Sequence, residues 1–341
     1  MGGDVGGYYH PPHAYHPYAA PGIIPLRPLN LSEIFNGAFA YIRANPKTTL
    51  GVATIVVVIA QLLALLLQFG PPATGGTLAP PELTGPDPDV TVLLGSLVGA
   101  AAGAVAIWLS SILLSGLLTV IVGRAVFGSP IAIGEAWQRV RGRLLALLAY
   151  TALETLGAAL VVAAVAGVIT MVAFVLNGWA AFALGVPLVS GAVVALVYLF
   201  TKLSFAPTLI VLERLPVLAA IERSFALVRG DFWRVFGIRV LAMLVAGLLS
   251  TAVGMPFSIG SQVLIMVGDS AGTALAGMAL ASVGAAVGQI VTAPFTAGVV
   301  VLLYADRRIR SEAFDLVLQT GAAGPAAPAD STDHLWLSRR P

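Results

Sequence analysis

The sequence has no cysteine and few charged residues. Its 341 residues include 18 Lys and Arg and 16 Asp and Glu, so only 10% of the chain is charged, whereas soluble domains average about 25%. So little charge cannot cover a water-facing surface, which excludes a soluble globular protein. The absence of cysteine excludes disulfides, thiol catalysis, iron–sulfur clusters and cysteine zinc sites.

Groups that carry out catalysis are also scarce. All four histidines, His10, His13, His16 and His334, lie in polar segments near the two ends of the chain. We therefore expect neither a histidine base nor a histidine metal site among the apolar segments. Motifs typical of phosphate-binding loops, serine hydrolases and zinc proteases do not occur. The sequence predicts no enzymatic activity, no cofactor and no metal.

Hydrophobic residues, in contrast, make up 58% of the chain, and the mean hydropathy is +0.94. They form six stretches, each longer than the ~18 residues that a membrane-spanning helix needs. These stretches are residues 48–69, 91–123, 144–176, 181–212, 235–267 and 273–304. The sequence thus predicts an all-α polytopic membrane protein with six transmembrane helices. Pro207 and Pro294 lie inside the fourth and sixth stretches and predict a kink or an unwound turn there.

Polar segments flank the apolar region. Residues 1–29 are rich in Gly, Pro, Tyr and His, and residues 319–341 are rich in Ala, Pro and polar side chains. Such compositions are typical of disorder. We therefore expect a membrane domain over residues 30–318 between two disordered tails.

The basic residues lie almost entirely on one side of the predicted spans. Sixteen of the 18 Lys and Arg lie before the first span, after the sixth span or in the loops that follow spans two and four, whereas the opposite loops carry only acidic residues. By the positive-inside rule, this pattern predicts a multi-pass protein of the inner (plasma) membrane with both termini in the cytoplasm. Because the net charge is only +2, we expect no nucleic-acid partner.

A short pattern recurs before spans one, three and five, as AFAYIRAN at 38–45, AWQRVRGR at 136–143 and SFALVRGD at 224–231. Each copy has an aromatic residue after a small one and an arginine four positions later. The aromatic and arginine pairs are Phe39 and Arg43, Trp137 and Arg141, and Phe225 and Arg229. Apolar residues four positions before and three positions after each aromatic share its helical face, which predicts an amphipathic helix at the membrane surface. We call these elbow helices and expect three repeats, each an elbow helix followed by a helical hairpin.

The elbow residues have two interpretations. In one, the arginines only set the topology, with their side chains reaching toward the membrane surface. In the other, they bind anionic lipid headgroups, which attract basic residues near the membrane. The sequence leaves both open.

Two charged residues, Glu154 and Lys202, are identified inside the apolar stretches. Each lies about ten residues from the basic side of its span, or about 15 Å deep at 1.5 Å per residue. An isolated charge at that depth costs ~2.5–3.5 kcal/mol on insertion scales. Opposite charges at matched depth therefore predict an ion pair, direct or through one water. Such a pair would either fix the register of a hairpin or belong to a transport path.

Glycines at a spacing of four recur in two spans, as Gly95, Gly99 and Gly103 and as Gly284 and Gly288. This spacing lets helix backbones approach closely. The contact could form within the chain or between protomers, and the oligomeric state stays open.

The block KLSFAPTLIVLERLPVLAAIERSFALVRGDFWRVFGI at 202–238, with residues 21–39 and 302–316, resembles the membrane domain of glycerophosphoryl diester phosphodiesterases. It is most similar to stand-alone actinobacterial versions with a Pro/Gly/Tyr-rich amino-terminal tail, and the resemblance covers about residues 21–318. It implies a six-helix membrane module. In the enzymes of that family a catalytic barrel follows this region, so a chain without that barrel is expected to lack phosphodiesterase activity.

Two functions are compatible with these features. The favoured one is a non-enzymatic membrane module that binds lipids, anionic lipids in particular, or an unidentified membrane protein in envelope assembly or homeostasis. The alternative is a small transporter that uses the pair Glu154 and Lys202. The first is favoured because the predicted repeats are parallel and the spans contain few polar residues.

Overall fold

The structure is a computed structural model that describes residues 23, 25, 27–68, 90–129, 131–268, 270–312 and 336–337. The helices are α1 (Leu31–Ala44), α2 (Pro46–Gln68), α3 (Val90–Val126), α4 (Ile133–Arg141), α5 (Leu144–Val175), α6 (Gly178–Lys202), α7 (Ala206–Leu212), α8 (Val217–Arg229), α9 (Phe232–Val267) and α10 (Ala271–Glu312). The described residues contain no strand, and the predicted all-α fold is confirmed for them.

Six helical segments are long and apolar enough to cross a membrane. They are Pro46–Leu67, Leu97–Val126, Leu144–Val175, Gly178–Leu212, Phe232–Val267 and Gly272–Glu312. The prediction of six apolar helices long enough to span a membrane is therefore confirmed, and the largest difference is at the end of the sixth. The sixth helix was expected to end near residue 304 but continues to Glu312, because its last two turns carry charged side chains that pair with Arg223 of α8 and Arg234 of α9.

The spans pack as three pairs, α2 with α3, α5 with α6, and α9 with α10. Helix α10 also packs against α1, α2 and α3, which places it at the centre of the bundle. In α5 only Leu147 and Tyr150 are buried, whereas half of the most apolar part of α10 is buried. The α5–α6 pair therefore lies at the periphery, where most of its large apolar side chains are exposed.

Short helices α1, α4 and α8 precede α2, α5 and α9, at the end of the bundle that carries most of the arginines, here called the basic end. Each short helix turns a small residue fully into the core, namely Ala38, Ala136 and Ser224. The aromatic residue that follows each small residue is only partly buried or is exposed. Each short helix therefore has one buried face and one face turned outward.

Glycine packing joins the helices within the chain. A Cβ at Gly284 would lie 2.6 Å from the Cβ of Phe257, and one at Gly103 would lie 3.2 Å from the carbonyl oxygen of Ala64. Both glycines therefore sit at intramolecular contacts, α10 against α9 and α3 against α2. Gly95, in contrast, faces open space.

The two prolines behave differently. The fourth span breaks between Lys202 and Ala206, and Pro207 lies in the first turn of α7, as the sequence predicts. Helix α10 instead continues through Pro294 without interruption, so the unwound turn expected there is absent. The buried hydroxyl of Tyr41 donates a hydrogen bond to the Pro294 carbonyl. Burial raises the pKa of this hydroxyl, which keeps it a donor.

Two residues assigned to the tails are packed against the helices. Leu29 is fully buried, because its backbone groups bond to side chains on α9 and α10. Trp336 is also buried and packs against Phe127 and Tyr304. The packed part of the chain therefore reaches beyond the expected range of 30–318, and most other residues of the two predicted tails lie outside the described residues.

The glycine contact between α9 and α10 can be tested with Gly284→Ala. The new Cβ would meet a Cβ that cannot rotate away, so we expect a loss of about 1–3 kcal/mol in stability. The measurement is the midpoint of thermal unfolding in detergent. Gly247→Ala on α9, where a Cβ meets nothing within 4 Å, is the matched control and should not lower the midpoint. Equal midpoints for the two variants would contradict close packing at Gly284.

Candidate functional site

The repeated arginines of the elbow helices are exposed. Arg43, Arg141 and Arg229 each lie in the last turn of their helix, where a positive charge interacts favourably with the helix dipole. None of the three forms a hydrogen bond or an ion pair with a described residue. Their guanidinium groups are therefore available to an external anion.

The elbow aromatics, in contrast, have three different surroundings. Phe39 packs on Phe295 of α10, with ring centres 4.9 Å apart. Trp137 is 43% exposed. Phe225 lines a cavity shared with α5 and α6. The predicted common face thus differs in its contacts from one elbow to the next.

Most other arginines at the basic end are bound to carboxylates, which the sequence pattern did not reveal. The fully buried carboxylate of Asp306 accepts hydrogen bonds from the Leu29 N–H at 2.8 Å and from Arg310 at 2.9 Å, and Arg234 approaches it at 3.2 Å. Arg234 and Arg310 also donate to the Leu29 carbonyl, at 2.7 Å and 3.0 Å. This cluster joins the segment before α1 to α9 and α10.

A second buried carboxylate, Glu213, follows α7. It accepts a hydrogen bond from the Tyr304 hydroxyl and pairs with Arg223 at 2.7 Å. Arg223 and Arg308 share a further partner, Glu312, at 2.8 Å and 3.0 Å. These contacts tie the end of the fourth span to α8 and α10.

Three more ion pairs belong to this network. The carboxylate of Glu135 in α4 pairs with Arg124 at 2.9 Å and with Arg139 at 2.8 Å. Arg307 pairs with Asp231 and donates to the Leu227 carbonyl at 3.0 Å. The sequence signal for this network was the presence of acidic residues among the arginines at the ends of the apolar stretches.

A cavity of about 300 Å³ lies between α5, α6 and α8, and Glu154 is the charged residue in its lining. Tyr150, Gly157, Phe200 and Phe225 are among the other lining residues. Many of the lining side chains are partly exposed on the outer surface of the bundle. We call this feature the groove.

The structure does not bring Glu154 and Lys202 together. Among the described residues Glu154 has Tyr150 and Arg239 as its electrostatic neighbours. The Lys202 ammonium lies 5.7 Å from the centre of the Tyr198 ring. The predicted ion pair is thus not formed. The reason is rotational, since Lys202 lies about a third of a turn around α6 from the residues that line the groove.

Arg239 is the charged residue that the sequence analysis missed. It lies in the second turn of α9, inside the fifth apolar stretch, and its guanidinium donates to the Phe200 carbonyl at 3.2 Å. That carbonyl belongs to the last turn of α6, where backbone acceptors have no helical partner. Arg239 therefore caps the end of α6 beside Glu154.

Other side chains satisfy the backbone of the break between α6 and α7. The Tyr150 hydroxyl donates to the Leu203 carbonyl at 3.1 Å. The Ser224 hydroxyl donates to the Lys202 carbonyl at 2.7 Å and accepts from the Phe205 N–H at 3.2 Å. Irregular backbone within a membrane requires such partners, because lipid offers none.

One known family matches most of the helical part of the chain. Residues 29–307 match the family described as a domain of unknown function, DUF7847. The chain belongs to the DUF7847 family. No curated protein and no solved structure matches the chain. The matched range includes both Leu29 and Asp306, and hence the contact that joins the beginning of the DUF7847 domain to its last helix.

The importance of this contact can be tested with Asp306→Asn, which keeps the side-chain shape but removes the charge shared by two arginines. Breaking a buried pair in this way costs about 3–5 kcal/mol, so we expect a markedly lower midpoint of thermal unfolding in detergent. Glu222→Gln on α8 removes one negative charge from an exposed residue and should leave the midpoint unchanged. If both variants unfold at the same temperature, the Asp306 cluster does not stabilise the DUF7847 domain.

Proposed function

We propose that this protein is a non-enzymatic module of the inner membrane that binds anionic lipid headgroups at its basic end. The observation that carries the proposal is the exposure of Arg43, Arg141 and Arg229, which have no partner among the described residues. In this proposal the basic end faces the cytoplasm, with both termini on that side.

The contrast between the two groups of arginines supports this proposal. Arg234 and Arg310 already bind Asp306 and the Leu29 carbonyl, so a headgroup would have to displace those partners. An exposed guanidinium gains about 1 kcal/mol near an anionic surface. It also matches the geometry of a phosphate group. The elbow arginines therefore suit headgroups better than the paired arginines do.

We also propose that the three elbow helices, each with the helix pair that follows it, are repeats of one unit. In all three elbows the small residue one position before the aromatic is fully buried, and the arginine four positions after the aromatic is exposed. Each elbow also precedes a pair of packed long helices. Three units of the same kind would present three headgroup sites at one membrane surface.

We also propose that the chain is related to the membrane domain of glycerophosphoryl diester phosphodiesterases. It rests on residues 202–238, which include the break, Ser224 and Phe225. The role in envelope assembly or homeostasis, alone or with a membrane-protein partner, follows from a lipid-binding module without catalytic groups.

The test replaces all three elbow arginines with glutamine. Loss of three charges should weaken binding to anionic lipid by up to about 3 kcal/mol, or roughly 100-fold. Binding is measured by exchange of the purified protein between nanodiscs of phosphatidylglycerol and of phosphatidylcholine, with bound lipids counted by native mass spectrometry. The triple Arg→Lys variant keeps the charge and should keep most of the preference. If the glutamine variant and the wild type prefer anionic lipid equally, the arginines do not bind headgroups and only set the topology.

Transport is a second candidate function, favoured by the break between α6 and α7. A broken helix beside a cavity is a common feature of transporters. Here the break adjoins Glu154, Tyr150 and Arg239 and the groove of about 300 Å³. A transport path would need water in this groove, whereas a lipid-binding module would have acyl chains there.

Water in the groove can be tested by single-cysteine labelling, because the chain has no cysteine of its own. Leu153→Cys places a thiol in the groove, and Leu160→Cys places one on the outer surface of the same helix. Glu222→Cys at the basic end is the positive control. A charged, water-soluble maleimide reacts only with a hydrated thiol. We expect labelling at position 222 alone; labelling at 153 but not at 160 would favour transport.

A further inference from the structure

A small cavity at the basic end is lined by four arginines. Arg124 lies in the last turn of α3, and Arg139 belongs to α4. Arg143 lies in the turn before α5, and Arg214 lies between α7 and α8. Val120, Gly123, Val211, Leu212 and Trp336 complete the lining, and the cavity volume is about 40 Å³. No elbow arginine from the proposed headgroup set lines this cavity, so it is a separate site.

Two of the four arginines that line the cavity have no carboxylate partner among the described residues. Arg124 and Arg139 already share Glu135. The guanidinium groups of Arg143 and Arg214 form no hydrogen bond or ion pair with any residue that the structure describes. Like charges gathered at one cavity repel each other, and a bound anion relieves that repulsion. The two arginines without such contacts therefore give the cavity a positive potential.

The backbone at Arg214 is also unusual. Its φ of 57° makes it the non-glycine residue with a left-handed backbone in the described part of the chain. This conformation is unfavourable for an arginine and persists only where the surroundings impose it. The short link between Glu213, held by the buried network, and Pro216, which begins α8, imposes it here. The strained link fixes where the Arg214 side chain leaves the backbone.

The size of the cavity indicates the kind of anion. A volume of about 40 Å³ holds roughly three water-sized groups, and a terminal phosphate group presents three acceptor oxygens. Arginine donates pairs of parallel hydrogen bonds to phosphate oxygens. Gly123 keeps the space open, since a Cβ there would lie 2.8 Å from Leu212 and 3.5 Å from the Trp336 indole nitrogen.

We propose that this cavity binds a phosphate group, held by Arg143 and Arg214 in a site whose other walls are Arg124, Arg139 and Trp336. The phosphate belongs either to a soluble phosphate compound or to a lipid headgroup at the membrane surface.

The experiment compares two variants of the full chain that lose the same charge. The site variant combines Arg143→Gln with Arg214→Asn, because asparagine tolerates a left-handed backbone better than arginine and should not lower stability. The control variant combines Arg27→Gln with Lys47→Gln, two exposed basic residues outside both the cavity and the elbow set. Both variants are purified in a neutral detergent. Before any phosphate is added, the midpoint of thermal unfolding of each variant is compared with that of the wild type.

The first readout is the midpoint of thermal unfolding as pyrophosphate replaces chloride at constant ionic strength. Binding to the folded state raises the midpoint. We expect a rise in the wild type and in the control variant, and at least a roughly tenfold weaker apparent affinity in the site variant. Titration calorimetry with pyrophosphate measures the affinity directly.

The second readout uses nanodiscs of phosphatidic acid against nanodiscs of phosphatidylcholine. A pyrophosphate response that the site variant loses identifies a soluble phosphate ligand. If the midpoint of thermal unfolding rises in phosphatidic acid nanodiscs but not with pyrophosphate, and this rise is lost in the site variant and kept in the control variant, the ligand is a lipid headgroup. No response in the wild type, or an equal response in the site and control variants, overturns the proposal. The proposed lipid binding by the elbows is judged separately, because it predicts a loss of anionic-lipid binding in the variant that replaces Arg43, Arg141 and Arg229 with glutamine. That variant keeps Arg143 and Arg214 and should keep the pyrophosphate response.

Discussion

Asp306 is a fully buried carboxylate near the end of α10 that receives the Leu29 N–H and the guanidinium groups of Arg234 and Arg310. In a membrane protein, apolar packing alone gives little force between helices, because lipid tails are as apolar as leucine. A buried charge with several partners therefore has a large effect on where the helices meet. Because Asp306 joins the segment before α1 to α9 and α10, the arrangement of the basic end depends on it.

This constraint divides the arginines into two groups. Those that bind Asp306 and Glu213 fix the ends of α8, α9 and α10 relative to one another. Those in the last turns of the elbow helices, such as Arg43 and Arg229, have no such partner among the described residues and face outward. The paired group supplies the rigid surface from which the exposed group extends. A positive-inside pattern in a sequence thus contains both structural charges and charges that are available to ligands.

The sequence predicts the spans well and the side-chain partners poorly, for physical reasons. Hydrocarbon thickness sets the length of an apolar stretch, so six stretches were sufficient to predict six helices. Depth in the membrane does not determine rotation about the helix axis, so Glu154 and Lys202 at matched depth do not meet. Arg239 was missed because it lies near the start of an otherwise apolar stretch. The partners Leu29 and Asp306 are 277 positions apart, and no local pattern connects them.

The break between α6 and α7 explains how a peripheral helix pair keeps its place. Helices α5 and α6 bury few apolar side chains, so packing does little to hold them against the core. The carbonyl groups released by the break are instead bonded by Tyr150 of α5, Ser224 of α8 and Arg239 of α9. An unsatisfied backbone group in lipid would cost several kcal/mol, which makes each of these contacts a strong constraint. The same contacts that position the pair also place Glu154 and Phe225 at the groove. The hydrogen bonds that satisfy the backbone at the break therefore also determine the shape of the groove.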